Sequence, residues 1–312
     1  MTIAVMNAMI RPLIEAELPD WIEPLWFTTS AELFAMAPRA EIGWFDTYDM
    51  PATFKAARRA KNLRWLNTLA AGVENFPLAQ LKQQGAALTN GAGINAIAIA
   101  EYAVMGMLNV AKGTRDVLRA ADRQEWLTAS PGVMELAGSK ALILGAGAIG
   151  HEITKRLHGF DVEICSVRRR PDAGQLGPDD WRVRLGEFDW IILTVPATPE
   201  TEGMIGAAEL AAMKPSATLM NFARGTVIDQ NALVAALQKR AIGHAFLDVT
   251  EPEPLPADHP LWRMDNATIT MHLSGRSQMM MFRRSATRFI ANLAHWQRGE
   301  TLDYLVDLDA GY

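Results

Sequence analysis

The chain has 312 residues, 49% hydrophobic and 21% charged, with a formal net charge of −5. Such a length predicts two domains, each able to bury its own core. The acidic balance excludes a general nucleic-acid surface, which needs a basic excess. A single cysteine, Cys165, excludes an internal disulfide and fits a reducing compartment. The opening residues lack a signal-peptide pattern, and the most apolar helix-like stretch, Ala96–Val110, is interrupted by Glu101 and is too short to span a bilayer. The expectation is a soluble, cytoplasmic protein with no membrane or nucleic-acid partner.

In chain order, short apolar runs at Thr2–Met6, Ile42–Phe45, Leu63–Leu69 and Ala86–Leu88 predict strands separated by helical patterns. That alternation predicts a parallel sheet. Asn90–Gly93 reads as a turn, and Ala96–Val110 as a long helix carrying the chain into a second domain. An exposed helix at Lys112–Glu125 and a turn at Ser130–Gly132 follow. Further strands are expected at Ala141–Leu144, Val162–Val167, Trp190–Val195, Ala217–Asn221, Ala245–Val249 and Ala267–Met271. A last helix, Met279–Arg298, is long enough to lead back to the first domain. The predicted fold class is α/β, with residues 1–105 plus 283–312 as a discontinuous substrate domain, residues 106–282 as a dinucleotide domain, and a cleft between them.

The most informative stretch joins the first two strands of the second domain. Gly145, Gly147 and Gly150 have the spacing G-x-G-x-x-G, and Ile149, Ile153 and Leu157 then mark one face of a helix. Gly145 permits a tight turn, Gly147 lets the backbone approach a pyrophosphate, and Gly150 lets helix and strand pack closely. Free N–H groups and a partial positive charge at the helix start suit those phosphates.

The end of the second strand bears on which dinucleotide is bound. An NAD site places a carboxylate there for the ribose hydroxyls. This chain has Arg168, followed by Arg169 and Arg170, with Ser166 two residues before. A guanidinium binds a 2′-phosphate that a carboxylate would repel. The reading is NADP(H) in preference to NAD(H), against the plainer alternative of a solvated basic turn.

Three loops after predicted strands carry charge: NFARGTVID with Arg224, LDVTEPEPLP with Asp248, Glu251 and Glu253, and TMHLSG with His272. Ligands bind at such carboxyl ends. Arginine can hold a carboxylate, histidine can exchange a proton, and a carboxylate can orient that histidine. Beside a hydride carrier, these groups suit reduction of a carbonyl next to a carboxylate.

GAGAIG, VPATPETEGMI, MKPSATLMNFARGTVID, LDVTEPEPLP and TMHLSG, in that order, resemble the D-isomer-specific 2-hydroxyacid dehydrogenase family. LAAGVEN at Leu69–Asn75 and AIAIAEYAV at Ala96–Val104 resemble its first domain. The resemblance implies two Rossmann-like domains with the active site between them, and a homodimer. It assigns the catalytic residues to Arg224, Glu253 rather than Glu251, and His272. It gives the substrate-carboxylate amides to Ala71 and Gly72, the nicotinamide carboxamide to Asp248, and the pyrophosphate amides to Ala148 and Ile149. Val195, Pro196, Thr201, Ala223 and Gly275 match cofactor-lining positions. Two departures stand out: Met271 replaces the proline before the histidine, and Arg168 replaces the usual acidic residue, as in the NADP-using glyoxylate/hydroxypyruvate reductases.

The activity implied is reduction of a small 2-oxo acid to the (R)-2-hydroxy acid. Trp44 and Asn95 are further candidates for substrate contact, with core packing or turn formation as their plainer roles. The rival readings are a dinucleotide-sensing corepressor on the same fold and a formate- or phosphite-type dehydrogenase.

Overall fold

Short runs of consecutive buried residues make the strands, and helices cover both faces of the sheets. A computed structural model describes residues 1–276 and 278–311, without the side chains of Gln278 and Met279. The chain divides into two units, Met1–Asn95 with Ser277–Tyr312, and Ala96–Arg276.

In the first unit, β1 (Thr2–Asn7), β2 (Ile22–Phe27), β3 (Ile42–Trp44), β4 (Trp65–Asn67) and β5 (Ala87–Thr89) form a parallel sheet of order β2-β1-β3-β4-β5. Val5, Leu66 and Leu88 face one apolar cluster, while Ala4, Met6, Ile42 and Trp65 face another. Helices α1 (Arg11–Ile14), α2 (Ser30–Met36), α3 (Met50–Arg59) and α4 (Leu78–Gln84) lie between the strands in sequence. The strand β2 escapes the sequence pattern because Pro24 stands inside it. It is tolerated there because β2 is an edge strand, which among the described residues pairs with β1 alone.

The second unit begins with α5 (Ala96–Ala111) and α6 (Thr114–Asp122). Its sheet contains β6 (Lys140–Leu144), β7 (Glu163–Val167), β8 (Trp190–Leu193), β9 (Thr218–Asn221), β10 (His244–Leu247) and β11 (Ala267–Ile269). The order is β11-β10-β9-β8-β6-β7, all parallel. Leu176 adds an isolated parallel bridge to Val167 at the outer side of β7. Leu142, Leu144, Ile191 and Leu193 pack on one face, and Ala141, Ile143, Trp190 and Ile192 on the other. This is the near-continuous apolar reading of strands buried on both sides. Helices α7 (Ala148–Leu157), α8 (Ala207–Ala212) and α9 (Gln230–Gln238) connect the strands.

The division falls ahead of α5, not inside it, because Ala100, Ala103 and Met107 of α5 pack with Ile153 and Leu157 of α7. The last helix, α10 (Gln278–Arg298), belongs to the first unit through Ala286, Phe289 and Leu293. Both sheets are Rossmann-like α/β layers. Among the described residues no helix is long and apolar enough to cross a membrane.

Candidate active site

The glycine turn has the geometry its spacing predicts. Gly145 sits at φ +109°, and a Cβ there would lie 2.7–2.8 Å from the Thr194 carbonyl and the Val195 nitrogen. A Cβ on Gly150 would lie 2.2 Å from the Gly145 carbonyl oxygen, so helix and turn touch through backbone alone. Gly147 differs, because a Cβ there meets nothing within 4 Å. It is exposed, and it caps α7 without any side-chain hydrogen bond. The first-turn amides of α7, including Ala148 and Ile149, therefore border open space, which fits a dinucleotide pyrophosphate. Thr194, absent from the sequence reading, secures the turn by donating Oγ1 to the Gly145 carbonyl at 2.6 Å.

At the end of β7, Ser166 is half-buried and Arg168 exposed. Arg168 donates to Asp172 Oδ2 at 2.9 Å, so a 2′-phosphate would have to share or displace that carboxylate. Arg169 is exposed, and its charge helps to lower the pKa of Glu200, after hydrogen bonds from Thr198 and the backbone. Beyond β8, Val195 is half-buried and Pro196 exposed, while Thr201 donates Oγ1 to the Pro196 carbonyl at 2.7 Å and so folds its own loop.

The Arg224 loop follows β9. Asn221 is fully buried; its Oδ1 accepts from the Ala223 amide and its Nδ2 donates to the Arg224 carbonyl, both at 2.9 Å. Arg224 is extended and half-buried, and it donates Nη1 to the Ala223 carbonyl at 2.9 Å. A Cβ on the next residue, Gly225, would fall 2.0 Å from the Thr250 carbonyl oxygen. Glycine thus lets the arginine loop lie directly on the loop after β10. There the Glu251 amide donates to Gln230 Oε1 at 3.0 Å, and Glu253 Oε1 accepts from the Thr250 amide at 3.2 Å.

That leaves Glu253 Oε2 for the histidine, 2.9 Å from His272 Nδ1. Both side chains are partly exposed, at 46% for His272 and 40% for Glu253. Nδ1 is engaged by the carboxylate, and Nε2 is the ring nitrogen left to face a reactant. Met271 and His272 both adopt left-handed backbone, at φ +53° and +56°. Such a conformation costs roughly 1–2 kcal/mol per non-glycine residue. Proline, locked near φ −65°, could not occupy position 271 in this turn.

Asp248 is 3% exposed and spends both oxygens on the same turn. Oδ1 accepts from Thr270 Oγ1 at 2.7 Å and from the Leu273 and Ser274 amides at 3.1 and 3.2 Å, and Oδ2 accepts from Ser274 Oγ. Four donors match the acceptor capacity of a carboxylate. Gly275, next in the chain, is half-buried, and Ala223 is buried.

In the first unit, the loop after β4 carries Ala71 and Gly72. Asp46 Oδ1 accepts from Thr68 Oγ1 at 2.7 Å and the Leu69 amide at 3.1 Å. Asn90 donates Nδ2 to the Ala71 carbonyl at 2.8 Å, and Arg288 of α10 donates to the carbonyls of Asn90 and Ala92. Gly91 lies so close that a Cβ would be 1.9 Å from the Leu69 oxygen. The Ala70 carbonyl accepts from the Gly91 amide at 2.8 Å, so that bond and the one from Asn90 to Ala71 hold the loop. The Ala71 and Gly72 amides donate to no acceptor among the described residues, a fit for an anion. Burial pushes the Asp46 carboxyl up to about 6, against hydrogen bonds from Thr68 and Leu69 that pull it down.

Two candidates from the sequence have other surroundings. Trp44 is 1% exposed and packs on Phe289 with ring centroids 4.9 Å apart, so its indole belongs to the core. Asn95 has its Oδ1 buried without a hydrogen-bond partner among the described residues. The supporting residues that sequence reasoning missed are Thr194, Asn221, Gly225, Gln230, Thr270, Ser274, Asp46 and Asn90. For the Asn, Thr, Ser and Asp residues among them the advance signal is that such side chains beside strand ends tend to bond neighbouring backbone.

Residues 104–274 match the family described as D-isomer specific 2-hydroxyacid dehydrogenase, NAD binding domain. The chain is 33% identical over 236 residues to glyoxylate/hydroxypyruvate reductase B of Yersinia pestis, covering 73% of this chain and 72% of that protein. It is 31% identical over 224 residues to D-3-phosphoglycerate dehydrogenase of Archaeoglobus fulgidus; that match covers 70% of this chain and spans 42% of the relative's length. A crystal structure of a D-isomer specific 2-hydroxyacid dehydrogenase family protein from Aeromonas salmonicida superposes with a TM-score of 0.87 at 29% identity, over 99% of both chains. The chain is therefore an oxidoreductase with a nicotinamide-dinucleotide domain, and it belongs to the D-isomer-specific 2-hydroxyacid dehydrogenase family.

Proposed function

We propose that this protein reduces a small 2-oxo acid of the glyoxylate or hydroxypyruvate kind to the (R)-2-hydroxy acid, with NADPH preferred over NADH. The observation that carries this reading is the Glu253–His272 pair at a strand end, beside the arginine loop and in the unit that holds the glycine turn. The bound nicotinamide supplies the hydride for the carbonyl carbon. Arg224 takes the substrate carboxylate and orients the carbonyl. His272 donates the proton to the carbonyl oxygen, and Glu253 holds the imidazole through Nδ1 so that it is oriented for the transfer. Orientation and charge stabilisation supply most of the rate gain in a site of this kind. Arg168, with Arg169 and Ser166, is the reason for preferring the 2′-phosphorylated cofactor.

The test is turnover of glyoxylate, hydroxypyruvate, pyruvate and phenylpyruvate with each reduced cofactor. Glyoxylate or hydroxypyruvate with NADPH should be fastest. His272→Ala should lower kcat by about 10²- to 10⁴-fold, the range of general acid catalysis, with little change in NADPH affinity. Failure of every acid in the panel, or an active His272→Ala enzyme, would overturn the assignment.

The assembly proposed is a homodimer. Its support is a concentration of exposed apolar side chains in one stretch: Leu118 at 60%, Trp126 at 91% and Val133 at 87% exposure. Sedimentation should give twice the chain mass, and Trp126→Asp should shift it towards monomer.

A further inference from the structure

We propose that Asp248, Thr270 and Ser274 are positioning residues, forming a carboxylate clamp that holds Met271 and His272 in their left-handed turn and so fixes the imidazole. The inference rests on the proposed role of His272 as proton donor. Its basis is the bonding of the turn. Asp248 takes hydroxyl and amide donors from Thr270, Leu273 and Ser274, on both sides of the histidine, while its own carbonyl accepts from the His272 amide at 2.6 Å. The turn is thus gripped by side chain and backbone of one buried residue.

The need for a grip follows from the chain itself. Two consecutive non-glycine residues at positive φ do not hold that shape unaided. Released, the backbone would relax towards negative φ and swing Nδ1 away from Glu253, which is fixed separately through the Thr250 amide. A site whose proton donor is misplaced by about 1 Å loses on the order of a hundredfold in rate. The clamp also accounts for position 271. A proline would enforce negative φ by itself, whereas methionine leaves the turn to be set by the bonds around it.

Thr270→Val and Ser274→Ala remove clamp donors without altering Asp248 or any group assigned to substrate or cofactor. Each should lower kcat by at least about tenfold while KM for the 2-oxo acid and Kd for NADPH stay within about threefold, the split expected when orientation alone is lost. Thr270→Ser keeps the hydroxyl and should retain wild-type kcat. Met271→Gly added to Thr270→Val should recover part of the lost kcat, because glycine adopts positive φ without a steric cost. A readout independent of turnover is amide hydrogen exchange across residues 272–274 in the cofactor-free protein, which should quicken in both clamp variants. Unchanged exchange, unchanged kcat despite faster exchange, or equal losses in Thr270→Ser and Thr270→Val would each overturn the clamp. If the wild-type protein reduces no 2-oxo acid, it is the proposed function that fails, and the exchange measurement still decides whether the clamp exists.

Discussion

Both sheets begin with the same winding, a first strand flanked by the second on one side and the third on the other, yet their first strands end in opposite chemistry. In the second unit β6 runs into Gly145, and α7 starts with bare amides facing open space. In the first unit β1 ends at Asn7, whose side chain accepts from the Met9 amide and donates to the Asp46 carbonyl, both at 2.9 Å. One end is open to an anion and the other is plugged by its own side chain. The first unit instead presents, after β4, the Ala71 and Gly72 amides, which have no acceptor among the described residues. Topology supplies the rim of loops, and loop chemistry decides which of them can bind.

The strongest way to break this comparison is to add one methyl group at each glycine. Gly150→Ala forces a Cβ to 2.2 Å from backbone oxygen and should destabilise the second unit by about 2–4 kcal/mol in urea melts. Gly147→Ala meets no protein atom, so its melting temperature should be unchanged while NADPH affinity falls at least about tenfold, the signature of a position kept bare for a ligand. Equal effects at both positions would remove the distinction between a packing glycine and a binding one.

The smallest effect in free energy, about 1.4 kcal/mol for a tenfold change, is expected at the end of β7. Arg168→Asp should weaken NADPH relative to NADH by about tenfold or more, and Asp172→Ala, which frees the guanidinium, should shift preference the other way by a few-fold. Steady-state KM ratios for the two cofactors measure both. Unchanged ratios would return the arginines to a solvated turn.

The last test concerns the plugged side of the comparison. The Asp46 carboxyl, pushed up to about 6 from 3.8, binds its proton more tightly folded than unfolded. Its ionisation therefore costs the fold nothing well below pH 4, and the cost grows as pH rises from 4 to 6. Above that it is full, at about 3 kcal/mol before local relaxation. Asp46→Asn keeps an acceptor for Thr68 and Leu69, so it should gain stability over the wild type at pH 8 and lose that advantage towards pH 4. Thermal melts across this range decide it; a variant less stable at pH 8 would show that the carboxylate is needed ionised.

Much of the fold was readable because its signals are local. Apolar runs bounded by turns gave the strands of the second unit, and the helical spacing of Ile149, Ile153 and Leu157 gave α7. The strand β2 was hidden by Pro24, since whether a proline breaks a strand depends on whether the strand lies at an edge. Trp44 shows the same difficulty at a side chain: a strand-end tryptophan can face a ligand or a core, and here Phe289, distant in sequence, receives it. Glu251 and Glu253 are alike in residue type and differ only in what the loop after β10 brings to them.

By itself the sequence determined the glycine turn, the parallel strands and the charged residues at their ends, because periodicity and backbone freedom act over a few neighbouring residues. Only the tertiary structure decided that His272 meets Glu253, that its turn is left-handed, and that Asp248 holds that turn. Those bonds join residues 19 to 26 positions apart on adjacent strand ends. Strand order brings them into reach, and no local pattern encodes that order.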